Sequence, residues 1–300
     1  MRGFLKWSGV AAGVLVALVA LAAGVVYARS ERRLDRVHPA TVALPRAIPR
    51  DSATVARGAH LASIATCVLC HGDDLGGAVI ADDPLFGTMA GPNLTPGRGG
   101  RGAELTDVDR VRAIRHGVHR DGTSLIVMPS EVFVRLGEPD LAALVAYLGQ
   151  LAPVDRVVPE SHFGPVGRAL LAAGKLNILV AEKTPALPLA AGVAPAVTAE
   201  YGRYLADVTG CHGCHGFGLS GGRVAGPASF PPAANLTPAG AIGQWTEADF
   251  TRALRAGRRP DGSAIDEFMP WRQYGHMTDD ELHALWLYLR GVPPKPFGNK

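Results

Sequence analysis

The stretches "CVLCH" (67–71) and "CHGCH" (211–215) decide how this chain is read. Each sets a cysteine, two intervening residues, a second cysteine and then a histidine. Together they hold all four cysteines of the 300-residue chain, Cys67, Cys70, Cys211 and Cys214, so none remains for a disulfide framework.

Outward from these motifs the sequence repeats itself. "RGAHLASIATCVLCH" (57–71) aligns with "GRYLADVTGCHGCH" (202–215), and "NLTP" occurs at 93–96 and 235–238. "TDVDRVRAIRHGVHRDG" (106–122) matches "TEADFTRALRAGRRPDG" (246–262), and "VMPS" (127–130) matches "FMPW" (268–271). "LAALVAYL" (141–148) matches "LHALWLYL" (282–289). The offset between copies drifts by only a few residues, which predicts two copies of one module.

Each copy reads as mainly helical. A short helix precedes the cysteine motif and a loop rich in glycine, proline and asparagine follows it. Thr106 and Thr246, each with an aspartate three residues on, open a second helix, and "TDDE" (278–281) is a capping box for the last helix of the second copy. Leu141, Leu144, Val145 and Leu148 fall on one helical face, as do Leu282, Leu285, Trp286 and Leu289. No run alternates clearly with period two, which supports that reading. Residues 152–196 are rich in proline and glycine. Their apolar stretch "VGRALLAAGKLNILVAEK" (166–183) suits a connector helix packed on a module or a membrane-surface element, and it is a poor span.

Three chemistries use Cys-x-x-Cys. A structural zinc ion needs four ligands, usually two such knuckles brought together, which would disrupt the repeat. A thioredoxin-type dithiol belongs near a βαβ pattern, and none is evident. Covalent haem c attachment uses both sulfurs as tethers and the following histidine as an iron ligand, and that histidine is present twice, as His71 and His215. Two covalently bound haem c groups are therefore expected. His212, inside "CHGCH", reads as a loop residue that bridges the cysteines.

The repeat also selects the sixth ligand. Among Met1, Met89, Met128, Met269 and Met277, only Met128 and Met269 sit at equivalent places, each before a proline and after a "DG" turn. Met89 aligns with Pro231 and Met277 with Leu136; His116, His119 and His276 align with Ala256, Arg259 and Arg135. Methionines are usually core filler, but the duplication favours iron ligation. His/Met ligation closes the iron and favours electron transfer over oxygen or peroxide chemistry.

The stretch Ser8 to Tyr27 carries no charge and is long enough to span a hydrocarbon core, with Trp7 and Tyr27 at its ends. An uncleaved anchor is expected; the alternative is a signal peptide cut after Ala28. Arg2 and Lys6 precede the span and Arg29, Arg32, Arg33 and Arg36 follow it. Counted alone, these charges would leave the bulk of the chain in the cytoplasm. The net charge of +3 implies no nucleic-acid partner.

By these motifs, with "FMPWRQYGHMTDDELHALWLYLRGV" (268–292), the chain resembles class I c-type cytochromes in a membrane-anchored diheme form. It is also similar to the cytochrome c subunits that partner membrane-bound alcohol and aldehyde dehydrogenases, which usually carry three haems. The resemblance implies a mainly α fold, with an N-terminal transmembrane helix followed by two tandem class I cytochrome c helical domains. The expected divisions are an anchor at 1–30, a linker at 31–51, domains at 52–152 and 197–294, a connector at 153–196 and a tail at 295–300. It further implies close helix crossings of Gly58 on Tyr147 and Gly202 on Tyr288. Haem c is attached outside the cytoplasm, so both domains are expected in the periplasm, held at the inner membrane, against the arginine count.

The expected function is therefore electron relay, not catalysis. Single electrons would pass from a periplasmic or membrane-bound dehydrogenase towards a terminal oxidase or another cytochrome. A diheme peroxidase is the alternative, and a redox or gas sensor a weaker one. Arginines on the middle helices (Arg112, Arg115, Arg120; Arg252, Arg255, Arg258, Arg259) suit a docking face for an acidic partner, contacts to haem propionates, or simply a solvated surface.

Overall fold

The computed structural model describes residues 2–226 and 229–298, with Met1 and the last two residues of the expected tail outside the described residues. The fold is mainly helical. Helix α1 (Arg2–Leu34) is long and apolar, and α2 (Ser52–Ile64) starts at Asp51, whose side chain accepts from the Thr54 amide. After the short α3 (Cys67–His71) come strands β1 (Ala78–Asp83) and β2 (Gly87–Gly91), then α4 (Asp107–His116), α5 (Ser130–Phe133) and α6 (Glu138–Leu148). Strand β3 (His162–Phe163) and α7 (Pro165–Ala172) lie in the connector. The second half runs α8 (Ala199–Val208), α9 (Cys211–His215), α10 (Glu247–Ala256), α11 (Trp271–Tyr274) and α12 (Asp279–Gly291).

The helix boundaries follow the local chemistry. Thr106 with Asp109, Thr246 with Asp249 and Thr278 with Glu281 each form a reciprocal capping box. Gly117 and Gly257 end α4 and α10 at φ +65° and +62°, a conformation that costs glycine little.

First and last helices of each half cross at a glycine. A Cβ on Gly58 would lie 2.0 Å from the Ala143 carbonyl oxygen and 2.6 Å from Tyr147 Cβ, so α2 and α6 touch backbone to side chain as expected. At Gly202 the nearest atoms belong instead to Ala284 and Leu285 of α12, the carbonyl oxygen of Ala284 at 1.9 Å. Apolar faces of both halves, including Leu61, Ile64, Leu141 and Leu144 on one side and Leu205, Leu254, Leu282 and Leu285 on the other, share one core.

A polar cluster lies where the halves meet. Arg57 and His60 of α2 stand at the same places in the repeat as Tyr201 and Tyr204 of α8, and Asp140 of α6 at the same place as Glu281 of α12. Arg57 donates to Asp140 at 2.9 Å, to Glu281 at 3.0 Å and to the Tyr201 hydroxyl at 3.0 Å. His60 Nε2 lies 2.7 Å from Glu281, and the Tyr204 hydroxyl donates to Asp140 at 2.8 Å. Each half thus caps the other's carboxylate, an approximately two-fold arrangement.

Several expectations need correction. Within the mainly helical fold, β1, β2 and β3 form a small antiparallel sheet in the first half, which the sequence pattern did not locate. Period two is hidden because β1 carries a register irregularity at Val79/Ala81 and its exposed residues are not all polar. Among the described residues, the corresponding place in the second half has an isolated bridge, Gly222 to Ala233. Helix α1 continues to Leu34, beyond the expected anchor end at residue 30. The linker at 31–51 lies on the first half, with the His38 amide donating to the Gly122 carbonyl and Arg50 paired with Asp107 at 2.7 Å. The connector packs there too, through Val127 to Ile178 and Val180 to Leu125 backbone bonds.

Candidate functional site

In the second half, Cys211, Cys214, His215 and Met269 line one cavity of about 600 Å³. Its walls are largely apolar, including Phe250, Leu254, Leu285 and Leu289. Helix α9 follows Gly210, held at φ +84°, and this turn directs the cysteines inward from the end of α8. Tyr274, buried, donates its hydroxyl to the Thr209 carbonyl at 3.0 Å and so ties α11, just after Met269-Pro270, to the cysteine turn.

The histidines are set by their ring hydrogen bonds. His215 Nδ1 lies 2.7 Å from the Ala234 carbonyl oxygen, and His71 Nδ1 lies 2.9 Å from that of Pro92. A carbonyl only accepts, so Nδ1 carries the proton in both rings and Nε2 is the lone-pair nitrogen, the arrangement of a metal-ligating imidazole. Burial lowers the pKa of His71 despite the opposing Pro92 bond, which favours the neutral ring.

The role of "NLTP" becomes clear here. Asn93 Oδ1 accepts from the Thr95 amide at 2.9 Å while its Nδ2 donates to Val154 O at 2.7 Å. Asn235 does the same with Thr237 at 2.9 Å and Lys295 O at 2.8 Å. Each asparagine fastens the loop bearing the histidine's carbonyl partner to the segment that follows the last helix. Residues 295–298, expected only as a tail, are therefore part of the site, and Phe297 lines the cavity.

The Met-Pro turns share one backbone geometry. Pro129 has φ −82° and ψ 55°, and Pro270 has φ −77° and ψ 51°. Met128, like Cys67, packs partly buried against the core. Met277, aligned with Leu136 in the sequence, is 1 % exposed and also lines the cavity, so the second half places two methionines at its wall. Met89 lies on β2.

The chemistry of the donor set separates the three uses of Cys-x-x-Cys. Burial pushes the Cys67 thiol up to about 12 and the Cys211 thiol up to about 11, which disfavours the free thiolate a redox dithiol would need. Among the described residues no group of three or more His, Cys, Asp or Glu side chains could hold a metal ion. A large apolar cavity bearing two sulfurs, a lone-pair imidazole and a thioether fits a haem.

Most of the middle-helix arginines are held in local pairs, with Arg120, Arg252, Arg255 and Arg258 still exposed and Arg115 buried. Arg112 and Arg120 pair with Asp109 at 2.8 and 2.9 Å, and Arg115 is buried and donates to the Leu187 carbonyl at 2.9 Å. Arg252 pairs with Asp249, Arg255 with Asp279, and Arg258 donates to Gly262 O. Arg259 donates to Ala264 O at 2.5 Å and lines the cavity, which leaves it suited to a propionate. His212 is not a bridge between cysteines: its Nε2 lies 3.2 Å from Asp207 and its ring stacks on Phe217.

Residues 55–152 match the Cytochrome c family model, and this part of the chain is a cytochrome c domain. Over 285 residues the chain is 30% identical to the cytochrome c subunit of a quinone alcohol dehydrogenase from Komagataeibacter europaeus, covering 86% of this chain and 60% of that protein. It is 28% identical over 263 residues to a fructose dehydrogenase cytochrome subunit from Gluconobacter japonicus, covering 81% of this chain and 53% of the relative. It is 28% identical over 275 residues to a gluconate 2-dehydrogenase cytochrome c subunit from Pantoea cypripedii, covering 82% and 61%. The chain thus spans between 53% and 61% of the length of these relatives. All three are cytochrome subunits of dehydrogenases.

Proposed function

We propose that residues 52–152 and 197–294 are two cytochrome c modules, each holding one covalently attached haem c, and that the chain relays single electrons. Cys67 and Cys70, and Cys211 and Cys214, tether the groups; His71 with Met128, and His215 with Met269, ligate the irons. The observation that carries this reading is the convergence of Cys211, Cys214, His215 and Met269 on one apolar cavity. The matching histidine and Met-Pro geometries of the first half support a second site.

When bound, a haem supplies reversible one-electron exchange at its iron. The chain does the rest. The Pro92 and Ala234 carbonyls hold the imidazoles in one orientation. Phe250, Leu254 and Leu285 exclude water, and the Arg57 cluster keeps the two sites in fixed relation. The reading makes the chain an electron-transfer subunit, not an enzyme. The relatives' names support a dehydrogenase as partner; in this reading the dehydrogenase is the donor and a terminal oxidase or another cytochrome the acceptor. Helix α1 anchors it in the inner membrane with both modules in the periplasm. The relatives give no support to a peroxidase.

Potentiometric titration of the purified chain tests this. Two one-electron steps with low-spin His/Met spectra and no peroxide turnover are expected. A high-spin ferric signal with peroxide turnover would overturn the relay in favour of an enzyme.

A further inference from the structure

The connector is fastened to the foot of the long apolar helix. Arg168 of α7 lies 4.5 Å over the Tyr27 ring and donates to Ser30 at 3.0 Å and Glu31 at 2.5 Å. Three residues on, the Leu171 carbonyl accepts from Arg33 at 2.8 Å, and Arg33 also pairs with Glu182. Ser30 is fully buried, and Val26 is partly buried where its neighbours on the span are exposed. Residue 168 meets 27–31 and residue 171 meets 33, so α7 runs parallel to α1. Its N-terminal end therefore points back towards the apolar stretch.

That end carries the hairpin of the first half. The amides of Val166 and Gly167 donate to Leu85 O, and that of Gly164 to Phe86 O. Asp83 accepts from the Leu85 and Phe86 amides at 2.8 and 2.9 Å, and Asp82 accepts from Thr88 at 2.6 Å, so both acids are turned into the hairpin. The turn then presents Leu85 55%, Phe86 49% and Val166 37% exposed. Val166 precedes Arg168 by two residues, about 3 Å along the helix towards the span. It therefore stands about level with Tyr27, at the end of the apolar stretch of α1. Arg29, Arg32 and Lys175 are exposed on the other side of that level.

We propose that this surface is a membrane seat. Leu85, Phe86 and Val166 enter the headgroup–acyl boundary of the bilayer that α1 spans, Tyr27 and Arg168 mark the interface, and Arg29, Arg32 and Lys175 meet anionic headgroups. The occupant is lipid because the patch is continuous with a helix whose own side chains are exposed and apolar: Leu15 is 63%, Leu18 58% and Leu21 66% exposed. The seat would hold the first half against the membrane and the second half away from it. It also gives the arginines after the span a task on the periplasmic side, where the charge count alone would not place them. The inference rests on α1 being a membrane anchor.

The test uses the full chain, with haem, in vesicles of three parts phosphatidylcholine to one part phosphatidylglycerol. Nitroxide labels are placed singly at Phe86→Cys, Leu85→Cys, Leu15→Cys and Phe217→Cys, each variant first shown to keep the parent's absorption spectrum. Accessibility to oxygen, which concentrates in lipid, is compared with accessibility to a water-soluble nickel chelate. Labels at 85 and 86 should favour oxygen several-fold over the label at 217, which stands on exposed Phe217 of the second half. Labels at 85 and 86 as open to nickel as that at 217, or closed to both reagents, with the label at 15 deep in lipid, would overturn the seat and leave the anchor standing. A label at 15 open to nickel would overturn the anchor and the seat together.

Discussion

Arg57 Nη1 lies 3.0 Å from Glu281 Oε1, so an arginine of the first half and a glutamate of the second meet where Glu281 is only 4 % exposed. The same guanidinium holds Asp140 of its own half. One cation thus compensates two buried carboxylates. Removing it would leave Asp140 without its cation and Glu281 with His60 as its basic partner, in a poorly solvated site, which is costlier than never having built the cluster.

Replacement of Arg57 by methionine should therefore destabilise the folded chain by roughly 3–5 kcal/mol. Guanidinium unfolding followed at the haem band measures this. The second half should also become more open to protease in the variant, because the broken contact lies between halves. A loss below about 1 kcal/mol, within the range of a surface ion pair, would show that the cluster does not hold the halves together.

Glu281 gives the interface a pH dependence of known sign. Burial opposes its charge, but the His60 bond, the Thr278 amide and Arg57 together bring its pKa down to about 2. A carboxyl depressed in the folded state contributes stability that is present above its unfolded value, about 4.3, and lost as pH falls through the folded one. Melting temperature should thus fall between about pH 4.5 and 2, and Glu281→Gln should flatten that part of the profile. An unchanged slope in the variant would assign the acid sensitivity elsewhere.

The glycine crossings admit no side chain. In Gly202→Ala the new methyl would meet the Ala284 carbonyl oxygen at 1.9 Å, and in Gly58→Ala that of Ala143 at 2.0 Å. Both neighbours are backbone, so helices must separate, at a cost of about 1–3 kcal/mol or more. Thermal melts of the two variants should both drop, and a neutral result in either would mean the helices do not cross as closely as described.

The two methionines at the second cavity are separable. Met269→Ala should convert that site to a high-spin form, lower its potential and open it to peroxide. Met277→Ala should keep the ligand spectrum while costing about 2–5 kcal/mol of stability, as expected for a fully buried methionine. The opposite pairing of spectra and stabilities would make Met277 the ligand.

Legibility in the sequence followed the range of the interactions. The capping residues Thr106, Thr246 and Thr278 act on amides three residues away, and each was readable. The cysteine–histidine motifs and the Met-Pro turns were found because the duplication points to the same places twice. What stayed hidden joins distant segments. Asn93 and Asn235 looked like landmarks, yet their work is to hold carbonyls 61 and 60 residues away. Phe297 shows nothing in its neighbours to tell that it lines a cavity. The middle-helix arginines read alike in sequence, and a charged helix face does not reveal that Arg115 among them is buried beneath Leu187. The hairpin was missed because its outward residues, Val79, Ile80, Leu85 and Phe86, are apolar and break the alternation a solvent-facing strand normally shows.

The central claim is that two modules each hold one covalent haem, and intact mass of the purified mature chain tests it most directly. The account predicts the polypeptide plus two haem groups, with Cys211→Ala/Cys214→Ala reducing the count by one and leaving the first site's spectrum in place. A parent chain carrying a single haem, or losing its haem on denaturation, would contradict it.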